Sequence, residues 1–285
     1  MSTRERLRRL LAEKRQELQE LERDVAALEG AEEESPPVVP LADFVQEALL
    51  TGDDTNQWLV RTQVPRGGLG FLTADPGLGK TTLLVQISLL LAAGRPVFGY
   101  HTVPCRTLLV AAEGARQALA ARVTCAARTL GIPHATPTWY VHGPAIANFL
   151  LTGGPFEQML EEARPQLVIL DTLKHFWQGD ENNADSFSRY VSGPLKDFGA
   201  RYGCTFWCVH HHRKAAPGEE AGPHRGRGTS LMFGDADFWW RLERDKEAGG
   251  VEGARTLFCD KNKYGPPFLP IHLTFDGEQA VLVQR

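Results

Sequence analysis

The sequence predicts an α/β protein with a mostly parallel central sheet that is flanked by helices and extended by antiparallel strands at one edge. From Gly70 onward, apolar runs of strand length alternate with longer helical runs, which is typical of strand–helix–strand units. The first five strand candidates are almost continuously apolar, as strands buried on both faces of a parallel sheet are. The later candidates, around a glycine-rich hairpin signal at residues 248–250, are predicted to be the antiparallel strands. The candidates are residues 69–73, 107–112, 138–141, 166–171, 204–210, 235–243, 255–261 and 270–275.

The composition of the 285-residue chain is that of an ordinary globular protein, with 42% apolar and 23% charged residues. Its net charge of -4 gives no global positive field. Nucleic acid would therefore have to be bound by a local basic patch, or by a channel assembled from several subunits. The longest apolar stretch, residues 83–93, is too short to span a bilayer. Because the charged N-terminus also lacks the apolar core of a signal peptide, we expect a cytoplasmic protein with no membrane partner.

Residues 1–30 are predicted to form one long helix, followed by a linker with a short helix (31–55) and by the α/β domain (56–285). The spacing of apolar residues in the N-terminal helix predicts either a coiled coil, which Lys14 would weaken, or an amphipathic helix lying on the chain's own domain. Either helix could link subunits or bind a partner protein. The heptad positions are Leu7, Leu11, Lys14, Leu18, Leu21, Val25 and Leu28.

Residues 72–82 have the sequence of a P-loop, placed between a predicted strand and a predicted helix. Gly77 and Gly79 let backbone N–H groups turn inward around a phosphate chain, where the start of a helix favours anions. Lys80 would reach the terminal phosphates of ATP, and the Thr81 hydroxyl would bind Mg²⁺. Ala74 stands where the motif usually has glycine, which is tolerable if its φ is negative. The predicted nucleotide-binding residues are Asp75, Pro76, Gly77, Leu78, Gly79, Lys80, Thr81 and Thr82.

Two carboxylates follow predicted strands. Asp171 ends an apolar run about ninety residues after the P-loop, the arrangement of a Walker B aspartate that would hold Mg²⁺ beside Thr81. Glu113 also follows a predicted strand, and carboxylates at the carboxyl ends of parallel strands point into the crevice in which ligands bind. We expect Glu113 to orient and deprotonate the attacking water. The alternative is a surface glutamate in a strand-to-helix turn.

Histidines and basic residues follow the predicted strands as well. One imidazole of His210 or His211 is expected to sense the γ-phosphate, the alternative being an ordinary histidine at a strand end. Lys261 and Lys263 share one face of a later strand and, in a ring of subunits, could neutralise transition-state charge at a neighbour's ATP. Two loops supply candidates for contact with a nucleic-acid backbone, unless they are merely solvated: Lys174, Arg213, Lys214, Arg225 and Arg227.

Taken together, these residues resemble the RepA-type plasmid replicative helicases, and more loosely the DnaB-type helicases and RecA. The resemblance covers about residues 56–275. These are ring-forming or filament-forming ATPases, so the resemblance implies a RecA-like fold, ATP and Mg²⁺ as ligands, and single-stranded DNA as partner. Besides the P-loop, the matching segments are Trp58-Leu59-Val60, Ala112-Glu113-Gly114 with Arg122 beyond, Leu170-Asp171-Thr172, Glu181-Asn182-Asn183-Ala184, His210-His211, Arg227-Gly228-Thr229-Ser230 and Lys261-x-x-Tyr264-Gly265.

The resemblance also implies roles for individual residues. The sensor would be His211 or His210, and Arg227 would lie near a subunit interface or the DNA. An arginine finger is expected a few residues after Gly-Thr-Ser, but Asp237 stands near that place. Arg241, Lys261 or Lys263 would then have to supply the charge to a neighbouring subunit. The ATPase residues would be Lys80, Thr81, Glu113 and Asp171.

The sequence therefore predicts an Mg²⁺- and ATP-dependent helicase, a hexameric ring that translocates on single-stranded DNA in DNA replication. Its N-terminal helix would contact a replication partner. The alternative is a RecA-like ATPase that acts as a loader, a recombination mediator or a regulatory switch without unwinding DNA. A small-molecule kinase is disfavoured, because Glu113 stands where RecA-like hydrolases place their base and no lid segment is evident.

Overall fold

The computed structural model of the chain describes residues 39–50, 57–132, 138–142, 150, 153–177, 183–211, 230–245 and 253–285. The chain divides into two compact units, Met1–Gly52 and Asp53–Arg285. In the first unit the structure describes helix α1 (Leu41–Leu50), on which Leu41 and Val45 are exposed. The predicted long helix over residues 1–30, with its heptad positions, lies outside the described residues.

The second unit alternates strands and helices. It begins with β1 (Trp58–Val60), β2 (Val64–Pro65), β3 (Leu69–Ala74), α2 (Lys80–Ala92), β4 (Thr107–Ala111), α3 (Arg116–Leu130), β5 (Thr138–His142), α4 (Pro155–Ala163) and β6 (Leu167–Asp171). It continues with a 3₁₀ turn (Leu173–His175), α5 (Ala184–Phe187), a π-helical turn (Ser188–Ser192), α6 (Gly193–Tyr202), β7 (Thr205–His211), α7 (Ser230–Asp235), β8 (Phe238–Arg244), β9 (Ala254–Asn262), β10 (Ile271–Asp276) and β11 (Val281–Gln284). Among these described helices, none has the length and apolar character needed to cross a bilayer.

Within the described part of the chain, nine strands form one sheet in the order β11-β10-β9-β8-β3-β7-β6-β4-β5. The strands from β8 to β5 are parallel to one another, and β9, β10 and β11 continue the sheet as antiparallel strands. The predicted fold class is confirmed.

The prediction was wrong for the direction of the run 235–243, because β8 is parallel to β3. The chain between β7 and β8, residues 212–237, is long enough for the crossover that a parallel strand requires. The direction reverses one strand later, where residues 245–253 join β8 to the antiparallel β9. The short strand β11 was not predicted.

Both faces of the parallel sheet are buried, which explains its almost continuously apolar strands. Every residue of β3, β4 and β6 is buried. Leu84 and Trp207 belong to a hydrophobic core around α2, whereas Phe156 and Phe198 belong to a second core that includes side chains of α4 and α6. All residues of α2 except Thr81 are buried, so the helix that follows the P-loop lies inside the domain.

The side-chain amide of Gln86 joins α2 to the edge strand β11. Its Nε2 donates a hydrogen bond to the carbonyl oxygen of Leu282 (3.0 Å), and its Oε1 accepts one from the N–H of Leu282 (2.8 Å). Gln86 is 7% exposed and Leu282 is 1% exposed, so these groups are shielded from water. The helix thereby satisfies backbone groups at the edge of the sheet that would otherwise be buried without partners.

The substitution Gln86→Leu should lower the free energy of unfolding by about 1–3 kcal/mol, because it leaves the buried N–H and carbonyl of Leu282 without partners. Urea unfolding followed by tryptophan fluorescence measures the change. Gln117→Leu is the matched control, since Gln117 is exposed on α3, and it should change that free energy by less than about 0.5 kcal/mol. Equal effects of the two substitutions would show that the amide bridge does not stabilise the domain.

Candidate functional site

The P-loop connects the carboxyl end of β3 to the amino end of α2. Ala74 ends β3 and is not among the residues with positive φ, as its place in the motif requires. Gly77 and Gly79 have φ values of 78° and 98°, which residues with a side chain avoid. A Cβ at Gly77 would meet no atom within 4 Å, so the backbone conformation rather than space requires glycine there. No side chain caps α2 at Gly79, which leaves N–H groups of its first turn available to an anion.

The ammonium group of Lys80 is held against the P-loop. Lys80 is 6% exposed, and its Nζ donates hydrogen bonds to the carbonyl oxygens of Ala74 (3.0 Å) and Asp75 (3.1 Å). Burial lowers the pKa of Lys80, and the nearby carboxylates of Asp171, Glu113 and Asp75 oppose this effect only in part. An anionic phosphate beside the loop would compensate for the burial of this charge.

Thr81 and Asp171 bring two oxygen atoms together beside the P-loop. The Thr81 hydroxyl donates a hydrogen bond of 2.5 Å to Oδ2 of Asp171, which is 4% exposed. Burial raises the pKa of Asp171, and the charge of Glu113 raises it further against the opposing hydrogen bond from Thr81. A cation at this position would therefore stabilise the ionised carboxylate.

This pair of oxygen ligands fits Mg²⁺, which prefers oxygen and is usually held by one or two protein groups together with water and phosphate. The described residues contain no cluster of three or more His, Cys, Asp or Glu side chains that could hold a metal ion. An ion bound by Thr81 and Asp171 would thus take its remaining ligands from the nucleotide and from water.

Glu113 reaches the same edge of the sheet from β4. The parallel register of β4 and β6 places Ala111 opposite Asp171, so Glu113 comes to lie beside the turn that follows β6. Its Oε1 accepts a hydrogen bond of 2.9 Å from the Thr172 hydroxyl and lies 2.8 Å from Nε2 of His175. Nε2 of His211, at the end of β7, is 3.6 Å from the same oxygen.

These contacts keep the Glu113 carboxylate ionised. Burial raises the pKa of Glu113, but hydrogen bonds from His175 and Thr172, together with the charges of His211 and His175, outweigh burial and bring the pKa below its ordinary value. The side chain is nevertheless 43% exposed. Glu113 is therefore a charged and accessible group that can accept a hydrogen bond from water.

Of the two candidate sensor histidines, it is His211 that the structure places beside Glu113. Its side chain is 24% exposed, whereas His210 is 3% exposed, as expected when neighbours on a strand face opposite sides of the sheet. Sequence analysis missed Thr172 and His175, both in direct contact with Glu113. Their closeness to Asp171 in the sequence was the available signal, but it does not show that the turn after β6 folds towards β4.

The candidates for nucleic-acid contact fall in two groups. Lys174 is exposed on the 3₁₀ turn after β6, at the same edge of the sheet as the P-loop. The other four candidates lie outside the described residues: Arg213, Lys214, Arg225 and Arg227.

Lys261 and Lys263 lie near the amino end of β3, whereas the P-loop of their own chain follows its carboxyl end. Asn262 pairs with Phe238, and Phe238 pairs with Gly70 near the start of β3. This separates the two lysines from the end of β3 by roughly 13 Å along the strands. Nζ of Lys261 donates hydrogen bonds to the carbonyl oxygens of residues 233 (2.7 Å) and 234 (2.8 Å). Nζ of Lys263, on a side chain that is 56% exposed, lies 3.2 Å from Oδ1 of Asp237.

Arg241, one of the three candidates for the charge supplied to a neighbouring subunit, is buried and paired inside its own domain. It is 7% exposed, and its guanidinium donates to both carboxylate oxygens of Asp260 (2.6 and 3.0 Å). It also forms an ion pair of 2.6 Å with Glu243. A bidentate, charge-assisted pair inside the domain occupies the guanidinium that a finger residue would have to present outside.

A cleft of about 1180 Å³ is lined by residues of β8, β9 and β10 and by Asp245, Gly253, Gly277 and Glu278 next to those strands. Arg255 lines it, is 9% exposed, and donates from Nε to the carbonyl oxygen of Leu78 in the P-loop (3.4 Å). The ring of Phe275 also lines it and comes within 3.7 Å of the position that a Cβ at Gly79 would take. Arg255 and Phe275 are therefore neighbours of both the cleft and the phosphate-binding loop.

Solved structures share this arrangement of strands and helices. The ATPase domain of G40P matches with a TM-score of 0.63 and 12% identity over 85% of this chain and 96% of that chain. A DnaB-like replicative helicase matches with a TM-score of 0.64 and 13% identity over 97% of this chain and 75% of that chain. A KaiC-like protein from the hyperthermophilic archaeon Pyrococcus horikoshii OT3 matches with a TM-score of 0.54 and 16% identity, over 82% and 95%.

A family model described as an AAA domain matches residues 34–217, which include the P-loop, Glu113, Asp171 and His211. No curated protein sequence matches the chain. The structural relatives, at these low identities, define the fold as that of the RecA-like P-loop ATPases. The chain thus has a RecA-like P-loop ATPase fold and belongs to the AAA domain family.

Proposed function

We propose that this protein hydrolyses ATP and uses the energy to move along single-stranded DNA, as a ring-shaped replicative helicase of the RepA type. The observation that carries the proposed ATP hydrolysis is that four groups meet at the carboxyl ends of the parallel strands. The P-loop, the Thr81–Asp171 pair, the Glu113 carboxylate and the imidazole of His211 lie together there. A phosphate-binding loop, oxygen ligands for a metal ion and an ionised carboxylate are the parts that phosphoryl transfer to water requires.

Each residue would have a defined task. Lys80 and the first-turn N–H groups of α2 bind the terminal phosphates of ATP. Glu113 accepts a proton from the attacking water while the water oxygen bonds to the γ-phosphorus. The bond from that phosphorus to the bridging oxygen breaks at the same centre, which releases ADP and phosphate. Mg²⁺, when bound by Thr81 and Asp171, supplies positive charge to the phosphate oxygens.

The cleft beside the P-loop would accommodate the rest of the nucleotide. It adjoins Leu78 and Gly79 through Arg255 and Phe275. An aromatic ring and a guanidinium are groups that stack on the flat faces of purine bases. We therefore assign the base and ribose of ATP to this cleft.

Several features support a ring motor on DNA. Lys174 and the strand that leads to Arg213 and Lys214 end at the edge of the sheet that carries the P-loop. Lys263 is exposed at the opposite end of the sheet, away from the P-loop of its own chain, as a residue that acts on a neighbouring copy's nucleotide would be. A replicative helicase is among the structural relatives. In this proposal the copies form a hexamer, and the N-terminal helix contacts a replication partner.

The proposal is tested by steady-state ATP hydrolysis with and without single-stranded DNA, with Lys80→Ala as the blank. We expect hydrolysis in the wild-type chain, a several-fold increase of kcat with DNA, and no activity in the variant. Unwinding of a forked duplex would then test the helicase assignment directly. Hydrolysis that ignores both DNA and RNA would favour instead a loader, recombination mediator or switch that a partner protein regulates. A phosphorylated small molecule in place of free phosphate would indicate a kinase.

Glu113→Gln should lower kcat for ATP hydrolysis by about 10²- to 10⁴-fold, because an amide cannot accept the proton of water. Binding of ATP should remain, since the P-loop is unchanged, and a fluorescent ATP analogue measures it. Glu162→Gln is the control, because Glu162 is exposed on α4, and it should hydrolyse ATP at the wild-type rate. Full turnover by Glu113→Gln would remove Glu113 from the mechanism.

A further inference from the structure

The contacts of Glu113 all converge on one of its two carboxylate oxygens. The Thr172 hydroxyl, Nε2 of His175 and Nε2 of His211 lie 2.9, 2.8 and 3.6 Å from Oε1. Within the described part of the chain, no hydrogen bond is formed to Oε2. The carboxylate is therefore fixed through Oε1, while Oε2 remains the oxygen that can accept a hydrogen bond from water.

His175 is itself held by a firmly anchored turn. Its backbone N–H donates to the carbonyl oxygen of Thr172 (3.0 Å), and the next N–H, of Phe176, donates to Leu173 (2.9 Å). Leu173 and Phe176 are 1% and 3% exposed and belong to one hydrophobic core. The imidazole thus reaches Glu113 from a turn that the core of the domain holds in place.

We infer that His175 is a positioning residue for ATP hydrolysis, which holds Oε1 of Glu113 so that Oε2 faces the attacking water. The inference rests on the proposed ATPase function. Glu113 has three rotatable side-chain bonds and is 43% exposed, so packing alone does not fix its carboxylate. A donor on a neighbouring rigid element restricts those rotations, which is how outer-shell residues orient a reacting group.

The contact also defines which ring nitrogen of His175 carries a proton. Because Nε2 faces an ionised carboxylate, it carries the proton and donates the hydrogen bond. With only the hydrogen bond from Thr172, the carboxylate could still rotate about the axis of that hydrogen bond. A second short hydrogen bond, from His175, prevents this rotation. His211, at 3.6 Å, is beyond the range of a normal hydrogen bond.

The experiment measures kcat and KM for ATP in the full chain with saturating single-stranded DNA. His175→Ala should lower kcat by about 10- to 100-fold, the usual effect of removing an outer-shell partner, with KM changed less than about twofold. His175→Gln should recover most of the lost kcat, because its amide nitrogen can donate to Glu113 from a similar distance along the side chain. His101→Ala is the matched control, because His101 is an exposed histidine that is not one of the site residues, and it should retain the wild-type kcat.

A double substitution separates positioning from a general structural role. If His175 acts only through Glu113, then His175→Ala should have no further effect on kcat in a Glu113→Gln background. An equal loss in both backgrounds would overturn the inference, as would an unchanged kcat in His175→Ala or a Gln variant no better than the Ala variant. Were His175→Ala to unfold, His175→Asn would replace it in this comparison, because its shorter side chain does not bring an amide nitrogen to Oε1 of Glu113; a kcat equal to that of His175→Gln would overturn the inference.

Failure of the proposed function would look different. A wild-type chain without ATP hydrolysis would overturn the proposed function and this inference together. Hydrolysis that depends on Glu113 but is unaffected by either His175 substitution would leave the proposed function standing and overturn only the role of His175.

Discussion

The parallel alignment of β3, β7, β6 and β4 is the constraint on which the candidate site depends. Parallel neighbours all end on the same side of a sheet, so segments distant in the sequence are brought together there. The P-loop follows β3, His211 ends β7, Asp171 ends β6 and Glu113 follows β4. A shift of β6 by one residue would turn Asp171 to the other face and away from Thr81. The site is therefore built by strand order and register more than by the conformation of one loop.

Three carboxylates act on the buried ammonium group of Lys80 in the P-loop. Lys80 faces the carboxylates of Asp75, Asp171 and Glu113, and burial together with Glu113 already raises the pKa of Asp171. A nucleoside triphosphate would add further negative charge. A cation held by the oxygens of Thr81 and Asp171 would offset that charge. The same charge gives a physical reason for a lysine from a neighbouring copy to take part, as proposed for Lys263.

The sequence predicted the site best where the residues that carry the chemistry lie close together in the chain. Gly77, Gly79 and Lys80 are separated by one or two positions, and the buried strands β3, β4 and β6 are almost continuously apolar, so both could be predicted. Contacts that depend on how separate elements meet could not. The bond from His175 to Glu113 needs a turn that folds across a neighbouring strand. The pairing of Arg241 with Asp260 needs the register of β8 and β9, and neither can be read from spacing along the chain.

The burial of α2 has a thermodynamic consequence for ligand binding. Its first turn supplies the N–H groups that face the phosphates, while its remaining residues pack in the core and Gln86 holds β11. A ligand at that end of the helix cannot be bound by a chain in which the core has opened. Nucleotide binding and global folding are therefore linked, and each tenfold excess of ligand over its Kd would add about 1.4 kcal/mol to the stability of the domain. The melting temperature becomes a direct reporter of occupancy, one that requires no turnover and no partner.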